Sequence, residues 1–307
     1  MGCCNEGAMK LDQESLKFML RTSIEQNSLI KFKTILVQLK DLNDLPSLII
    51  SFPIAFCKTT FLSVPEYCIF SGSLSIFKHI HETFTINIPS IEKKFDLLQT
   101  SPIHIMCTKN YNELLLYYLP LSLPTFHIPK IQTISLSFDI LGQSLVSSET
   151  SNTYISPLHA ACEKGHLLIV KIIYDFFGDS KKFNEFNVNY YDEFTGETCT
   201  TIACKTGNFF LIKFLHEYCL ADFKVFNKYG ENALQILCSA NRRNEIENFF
   251  ETFVYLVEVV GIDIVYNFEE TLLLCNQLRA IKYFEMHLAS KGILCTKFEL
   301  ESNQIIT

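Results

Sequence analysis

The sequence predicts an all-α solenoid of about six or seven helix pairs, each stacked on the next, with an irregular or β-hairpin insertion near 120–155. Two observations carry this. One short unit, opening on Ser, Thr or Asn and closing on Gly or Asn, recurs along the 307 residues. After each closing residue comes an apolar run spaced for one helical face. A unit of this size cannot bury its apolar face alone, so it stacks on its neighbours. Composition agrees: 48% of residues are hydrophobic and 19% charged, with only 11 Gly and 9 Pro. Disordered, collagen-like and linker-rich chains are thereby excluded.

The units can be justified one by one. The clearest is Ser156-Pro157-Leu158-His159-Ala160-Ala161-Cys162-Glu163-Lys164-Gly165, followed by the apolar stretch 167–173. Ser101-Pro102-Ile103-His104 opens a copy that closes at Asn110, Thr198 opens one that closes at Gly207, and Asn232 opens one that closes at Asn241. Ser or Thr at the first position caps a helix, its hydroxyl accepting from an orphan backbone N–H. Pro next fits the first turn, where no N–H is needed. Gly165 and Gly207 supply the left-handed residue that ends the short first helix, with Asn110 and Asn241 as substitutes. Cys107, Cys162, Cys204 and Cys238 all lie three residues before that turn. There they read as small buried groups where neighbouring helices approach closely. Weaker copies close at Asn27, Gly72 and Asn276, which gives turn anchors at 27, 72, 110, 165, 207, 241 and 276.

These units resemble ankyrin repeats, whose period is about 33 residues and whose signature is T-P-L-H-x-A. Ser156-Pro157-Leu158-His159-Ala160-Ala161 matches it almost completely, and Ser101-Pro102-Ile103-His104 matches well. Gly196-Glu197-Thr198 and Gly230-Glu231-Asn232 are similar to the G-x-T/N turn that leads into the family's units. Departures occur: Cys199 and Thr201, and then Ala233 and Gln235, stand where Pro and His are expected. The anchor spacings of 45, 38, 55, 42, 34 and 35 mostly exceed 33, so the connecting loops carry insertions. The resemblance implies structural hydrogen bonding for His104 and His159, and a protein-binding surface made of the concave face and the loop tips.

The longest insertion lies between anchors 110 and 165. Leu119-Pro120 and Leu123-Pro124 are expected to break the helix there. Residues 131–138 alternate apolar and polar, the period of a half-buried strand. The expected organisation is a flexible N-terminus over 1–14, the repeat array over 15–300 with its 120–155 insertion, and a C-terminal tail over 301–307.

Catalytic motifs are not found. The chain has no phosphate-cradling G-x-x-x-x-G-K-S/T, no G-x-G-x-x-G and no G-x-S-x-G. His79-Ile80-His81-Glu82 lacks the i, i+4 ligand spacing of a zinc helix and reads as the continuation of a second helix. Cys199 has no basic neighbour to stabilise a thiolate. No C-x-x-C occurs, so neither structural zinc nor a disulfide framework is expected. An enzyme site in the insertion would have only His127, Lys130, Asp139 and Glu149 to work with. No cofactor or metal is expected.

The formal net charge of −7 argues against nucleic acid, which needs a basic face. The apolar runs 45–56 and 114–123 are too short to span a bilayer. The Met1-Gly2-Cys3-Cys4 start is similar to an acylation site, with myristate on Gly2 and palmitate on Cys3 and Cys4. Two chains anchor stably where one binds marginally. Glu6 stands where that pattern has Ser or Thr.

The functional expectation is a monomeric, cytoplasmic, non-enzymatic scaffold that binds a protein partner and is tethered to the inner face of a membrane through its N-terminal lipid. Its partner-binding candidates are loop residues Lys181, Lys182, Tyr190, Tyr191 and Asp192, then Lys228 and Tyr229. An effector of a host-associated microbe, acting in host cytosol, is the alternative that the family resemblance implies.

Overall fold

The computed structural model describes residues 13–38, 49–54, 57–97, 100–122, 156–178, 186–193 and 195–297. They fall in two units, Met1–Ser151 and Asn152–Thr307. The helix starts obey their capping chemistry. The Ser101 hydroxyl accepts from the His104 N–H at 3.0 Å, and that of Ser156 from the Leu158 N–H at 3.2 Å. Thr198 and Thr201 form a reciprocal box, as do Asn232 and Gln235 at 3.0 Å each way. Pro102 and Pro157 occupy the first helical turn.

The first unit holds α1 (Gln13–Glu25), α2 (Leu29–Leu36), β1 (Ile49–Ile54), β2 (Cys57–Ser63), α3 (Val64–Ser71), α4 (Leu74–Thr83), α5 (Ile88–Leu97), α6 (Pro102–Lys109) and α7 (Asn112–Ser122). The first helices of the pairs stack in order, α1 on α3 and α3 on α6. The second helices do likewise: α2 meets α4, and Phe77 of α4 meets Tyr117 and Tyr118 of α7. The core between the two rows includes Leu20, Ile24, Phe32, Tyr67, Phe77, Met106 and Tyr118.

The second unit holds α8 (Pro157–Glu163), α9 (Leu167–Phe177), α10 (Cys199–Thr206), α11 (Phe209–Glu217), α12 (Ala233–Arg243), α13 (Phe249–Tyr255) with a π-helical turn at Leu256–Val260, α14 (Phe268–Leu274) and α15 (Leu278–Ser290). One row runs α8, α10, α12, α14 and the other α9, α11, α13, α15. Together the described residues make seven helix pairs plus the unpaired α5. The fold is therefore the all-α helical-repeat array that the sequence predicts. Cys107, Cys162, Cys204 and Cys238 are fully buried.

Several expectations need correction. Asn27, Gly72, Asn110, Gly165 and Gly207 are left-handed, as predicted. Asn241 is not: it lies inside α12, which runs on to Arg243. No glycine stops that helix after Cys238, and the Asn241 amide is satisfied sideways instead. It donates to Asn276 Oδ1 at 2.6 Å and accepts from the Ile246 N–H at 2.9 Å. Asn276 likewise sits in an ordinary loop and not in a left-handed turn.

Pro120 does not stop α7, which ends at Ser122; the missing N–H falls in the last turn, where little of the ladder remains to be lost. An antiparallel hairpin, β1 with β2, appears where no strand is expected, with Ile49 opposite Ser63 and a register break between Phe52 and Ile54. Pro53 is tolerated because a two-stranded sheet has only edge strands. Helix α5 belongs to no repeated unit and stands where later units carry a loop. The expected strand at 131–138, Leu123-Pro124 and the tail 301–307 lie outside the described residues.

Candidate functional site

In the second unit, α9, α11 and α13 are each followed by a loop built on one pattern. An apolar residue, an Asn or Asp, and another apolar residue occur in order: Phe186-Asn187-Val188, Ala221-Asp222-Phe223 and Ile262-Asp263-Ile264. The flanking apolar side chains are all buried. The central carboxyl or amide oxygen accepts from the N–H two residues on: Asn189 at 2.8 Å, Lys224 at 2.8 Å and Val265 at 3.0 Å.

A tight hairpin comes next in the first two loops. The Asp192 N–H donates to the Glu197 carbonyl at 3.0 Å, and the Asn227 N–H to the Glu231 carbonyl at 3.1 Å. Asn227 Oδ1 also accepts from the N–H groups of Tyr229 (2.9 Å) and Glu231 (3.0 Å).

The loops brace one another. The Asp222 N–H donates to Asn189 Oδ1 at 2.8 Å, the Thr200 hydroxyl to the Asp222 carbonyl at 3.0 Å, and the Tyr266 hydroxyl to the Gly230 carbonyl at 3.1 Å. Gly196 is left-handed, and a Cβ there would fall 2.5 Å from Lys228 Cβ, so the Lys228 stem lies flat against the preceding hairpin. A row joined in this way is a braced platform.

On that platform one position recurs. Tyr191, Phe226 and Tyr266 each immediately precede the residue that begins the next element (Asp192, Asn227 and Asn267). All three stand in solvent, 43%, 45% and 37% exposed, and Tyr229 projects further at 75%. The Phe226 and Tyr266 rings are 4.8 Å apart between centroids. The Lys228 ammonium lies 5.3 Å from the centroid of Tyr229.

The predicted loop residues divide. Tyr191, Lys228 and Tyr229 are exposed. Tyr190 is part-buried, its ring 5.7 Å from that of His159. Asp192 is a correction: it is buried, because it opens the hairpin with its own backbone and its Oδ1 faces the Thr195 N–H at 3.4 Å. Lys181 and Lys182 lie outside the described residues, as do Gly2, Cys3 and Cys4 and the insertion's His127, Lys130, Asp139 and Glu149. Phe226, Tyr266, Asp222 and Asp263 are not among the residues the sequence predicts for this surface. The signal was present: the apolar–Asx–apolar triplet repeats at 186, 221 and 262.

The signature residues are structural in their surroundings. His159 is fully buried, and burial pushes its imidazole down to about 4 against the opposing pull of Asp192 and the Tyr190 backbone. Burial likewise takes His104 to about 4, and its Nδ1 is buried without a hydrogen-bond partner among the described residues. Both rings are therefore neutral near pH 7. Leu158, Pro157, Ser156, Pro102, Ser101 and Thr198 are buried. His79 and His81 lie on α4, where His81 Nδ1 meets the Tyr117 hydroxyl at 2.8 Å. Burial pushes the Cys199 and Cys204 thiols up, away from nucleophilic character. Among the described residues no group of three His, Cys, Asp or Glu could hold a metal, and no helix is long and apolar enough to cross a membrane.

A groove of about 280 Å³ lies across α8, α10 and α12, lined by Glu163, Ile202, Lys205, Thr206, Arg243 and Asn244. Lys205 pairs with Glu197 at 3.6 Å. Burial raises the Glu163 carboxyl while Lys164 and Lys205 lower it.

Stacked helix pairs with braced loops along one edge define a helical-repeat protein. Within it, residues 158–267 match the description of ankyrin repeats in three copies. Repeats of this family are generally protein–protein interaction modules. Two solved structures are similar. One is from the complex of the predatory endopeptidase Bd0816 of Bdellovibrio bacteriovorus with the immunity protein Bd3460 (15% identity, 76% of this chain and 97% of that one, TM-score 0.41). The other is the human ASB11 ankyrin repeat domain (16% identity, 75% and 95%, TM-score 0.39). A comparison with curated protein sequences finds no match.

Proposed function

We propose that this protein is a non-enzymatic interaction module that grips a protein partner along the loop row of its second unit. The observation that supports this is the set of four exposed aromatic side chains, Tyr191, Phe226, Tyr229 and Tyr266, held on loops that are hydrogen-bonded to one another. Aromatic side chains carry the most contact area per ordered torsion and are enriched among binding hot spots. Preorganised loops lower the ordering cost of binding.

The test is affinity purification from native cells. A Tyr191→Ala/Tyr229→Ala variant alters two side chains that make no hydrogen bond among the described residues, so its fold should hold. It should lose about tenfold of the recovered partner, the effect of removing roughly 1–2 kcal/mol of contact. Full recovery would place the partner elsewhere on the molecule.

The tether belongs to the same proposal. Myristate on Gly2 with palmitate on Cys3 and Cys4 would hold the module at the cytoplasmic face of a membrane. Gly2→Ala should move the protein from the membrane pellet to the supernatant on cell fractionation. A wild-type protein found wholly in the supernatant would remove the tether and leave the interaction surface untouched.

A further inference from the structure

We infer that the loop row of the second unit selects a basic, arginine-bearing extended segment of its partner; this rests on the interaction role proposed above. The first ground is charge. Around the exposed rings the loops and the start of α14 present Glu193, Asp222, Asp263 and Glu269 to solvent, against Lys224 and Lys228. None of these four carboxylates is in an ion pair among the described residues. Four carboxylates against two lysines leave a local excess of negative charge, on a chain whose formal net charge is −7.

The second ground is the rings. A π face attracts a cation, and guanidinium stacks on it better than ammonium does. The molecule makes such contacts itself: Arg279 lies 4.0 Å from the centroid of Phe250, and Lys228 sits over Tyr229. Tyr191, Phe226 and Tyr266 carry no such cation among the described residues.

The third ground is order along the chain. Asp222 lies four residues before Phe226, and Asp263 three before Tyr266, so in these two loops an acid precedes a ring along the chain. An arginine laid along the row finds a ring for its flat face and a carboxylate for its N–H fork. An acidic segment would meet repulsion, and an apolar one would leave the carboxylates to be desolvated without partners.

The probe is a fluorescein-labelled peptide of about ten residues, alternating arginine and serine, titrated against the full chain by fluorescence anisotropy. The comparison peptide has glutamate in place of arginine. The arginine peptide should bind, and binding should weaken as salt rises from about 50 mM to about 300 mM. Tyr191→Ala/Phe226→Ala/Tyr229→Ala should weaken it about tenfold with the charges intact. Asp222→Asn/Asp263→Asn/Glu269→Gln should weaken it about tenfold with the rings intact. Circular dichroism checks that each variant keeps its helices.

The inference is overturned if no binding appears up to about 100 μM peptide, if the glutamate peptide binds as tightly, or if the triple aromatic variant binds like wild type. Partner recovery from native cells separates the two levels. If the aromatic variant loses its partner yet the arginine peptide never binds, the basic partner is wrong and the interaction surface stands. If partner recovery ignores the aromatic variant, the surface itself is wrong.

Discussion

Leu220 is held at φ +51° with its side chain 78% exposed. The left-handed region costs an L-residue about 1–2 kcal/mol, and an exposed leucine recovers none of that through burial. Leu220→Gly relieves the backbone but loosens the unfolded chain by about 0.5–1 kcal/mol. The expected net result is stabilisation of about 0.5–1 kcal/mol, seen as a higher thermal midpoint. Leu220→Ala keeps the backbone penalty and should leave the midpoint near wild type, which separates torsion from side chain.

Gly207 makes the opposite case. Its φ is +66°, and the Ile246 side chain occupies the space that a Cβ would take. Gly207→Ala should cost about 1–3 kcal/mol through torsion and overpacking together. A urea midpoint that falls at unchanged slope would show it; an unmoved midpoint would mean that the turn relaxes freely.

Among the elements, α5 carries a titratable anchor. Glu92 accepts from the Tyr118 hydroxyl of α7 at 2.7 Å, and Phe95 beside it is fully buried. Burial pushes the Glu92 carboxyl up to about 7; the Tyr118 hydrogen bond opposes this and Asp96 adds to it. An unfolded glutamate titrates near 4.3, so the folded value is the higher one. The charged form is then the disfavoured one in the folded state, and α5 docks best below about pH 4.3. Docking weakens as pH rises through about 7. Hydrogen exchange of the α5 amides, corrected for intrinsic rate, should accelerate between pH 5.5 and pH 8 relative to α6. Glu92→Gln should flatten that dependence, and an equal slope in both proteins would assign it elsewhere.

Element by element, the sequence was legible where chemistry is local. Ser101-Pro102 and Ser156-Pro157 announce helix starts because a cap and a fixed φ act within one turn. Gly72, Gly165 and Gly207 announce stops for the same reason. Asn241 misled because its amide bonds across to Asn276, a contact that no local pattern encodes. The β1–β2 hairpin was hidden in an apolar run with Pro53 inside it. Its strands pair with each other and pack on α3, so tertiary contact decided it. The loop row was half legible. Tyr191 and Tyr229 stood out as aromatics among charges, whereas Asp192 looked exposed by composition and is buried by the hairpin it opens.

For the whole molecule the governing question is how far a local defect spreads. In the second unit α8 packs on α10, α10 on α12 and α12 on α14, so each helix pair packs on its neighbours. Stability in such an array is close to a sum of unit terms and neighbour terms. Leu158 is fully buried at the start of α8. Leu158→Asp buries an unpaired carboxylate there and should cost at least about 3 kcal/mol. A closed core would lose protection everywhere at once. A stacked array should lose it in order: α8 and α9 first, then α10 and α11, with α14 and α15 retaining the most. Hydrogen exchange read along residues 156–297 distinguishes the two. A uniform loss across that span would mean that the pairs share one cooperative core, and the repeats would then be a feature of sequence without independent energetic meaning.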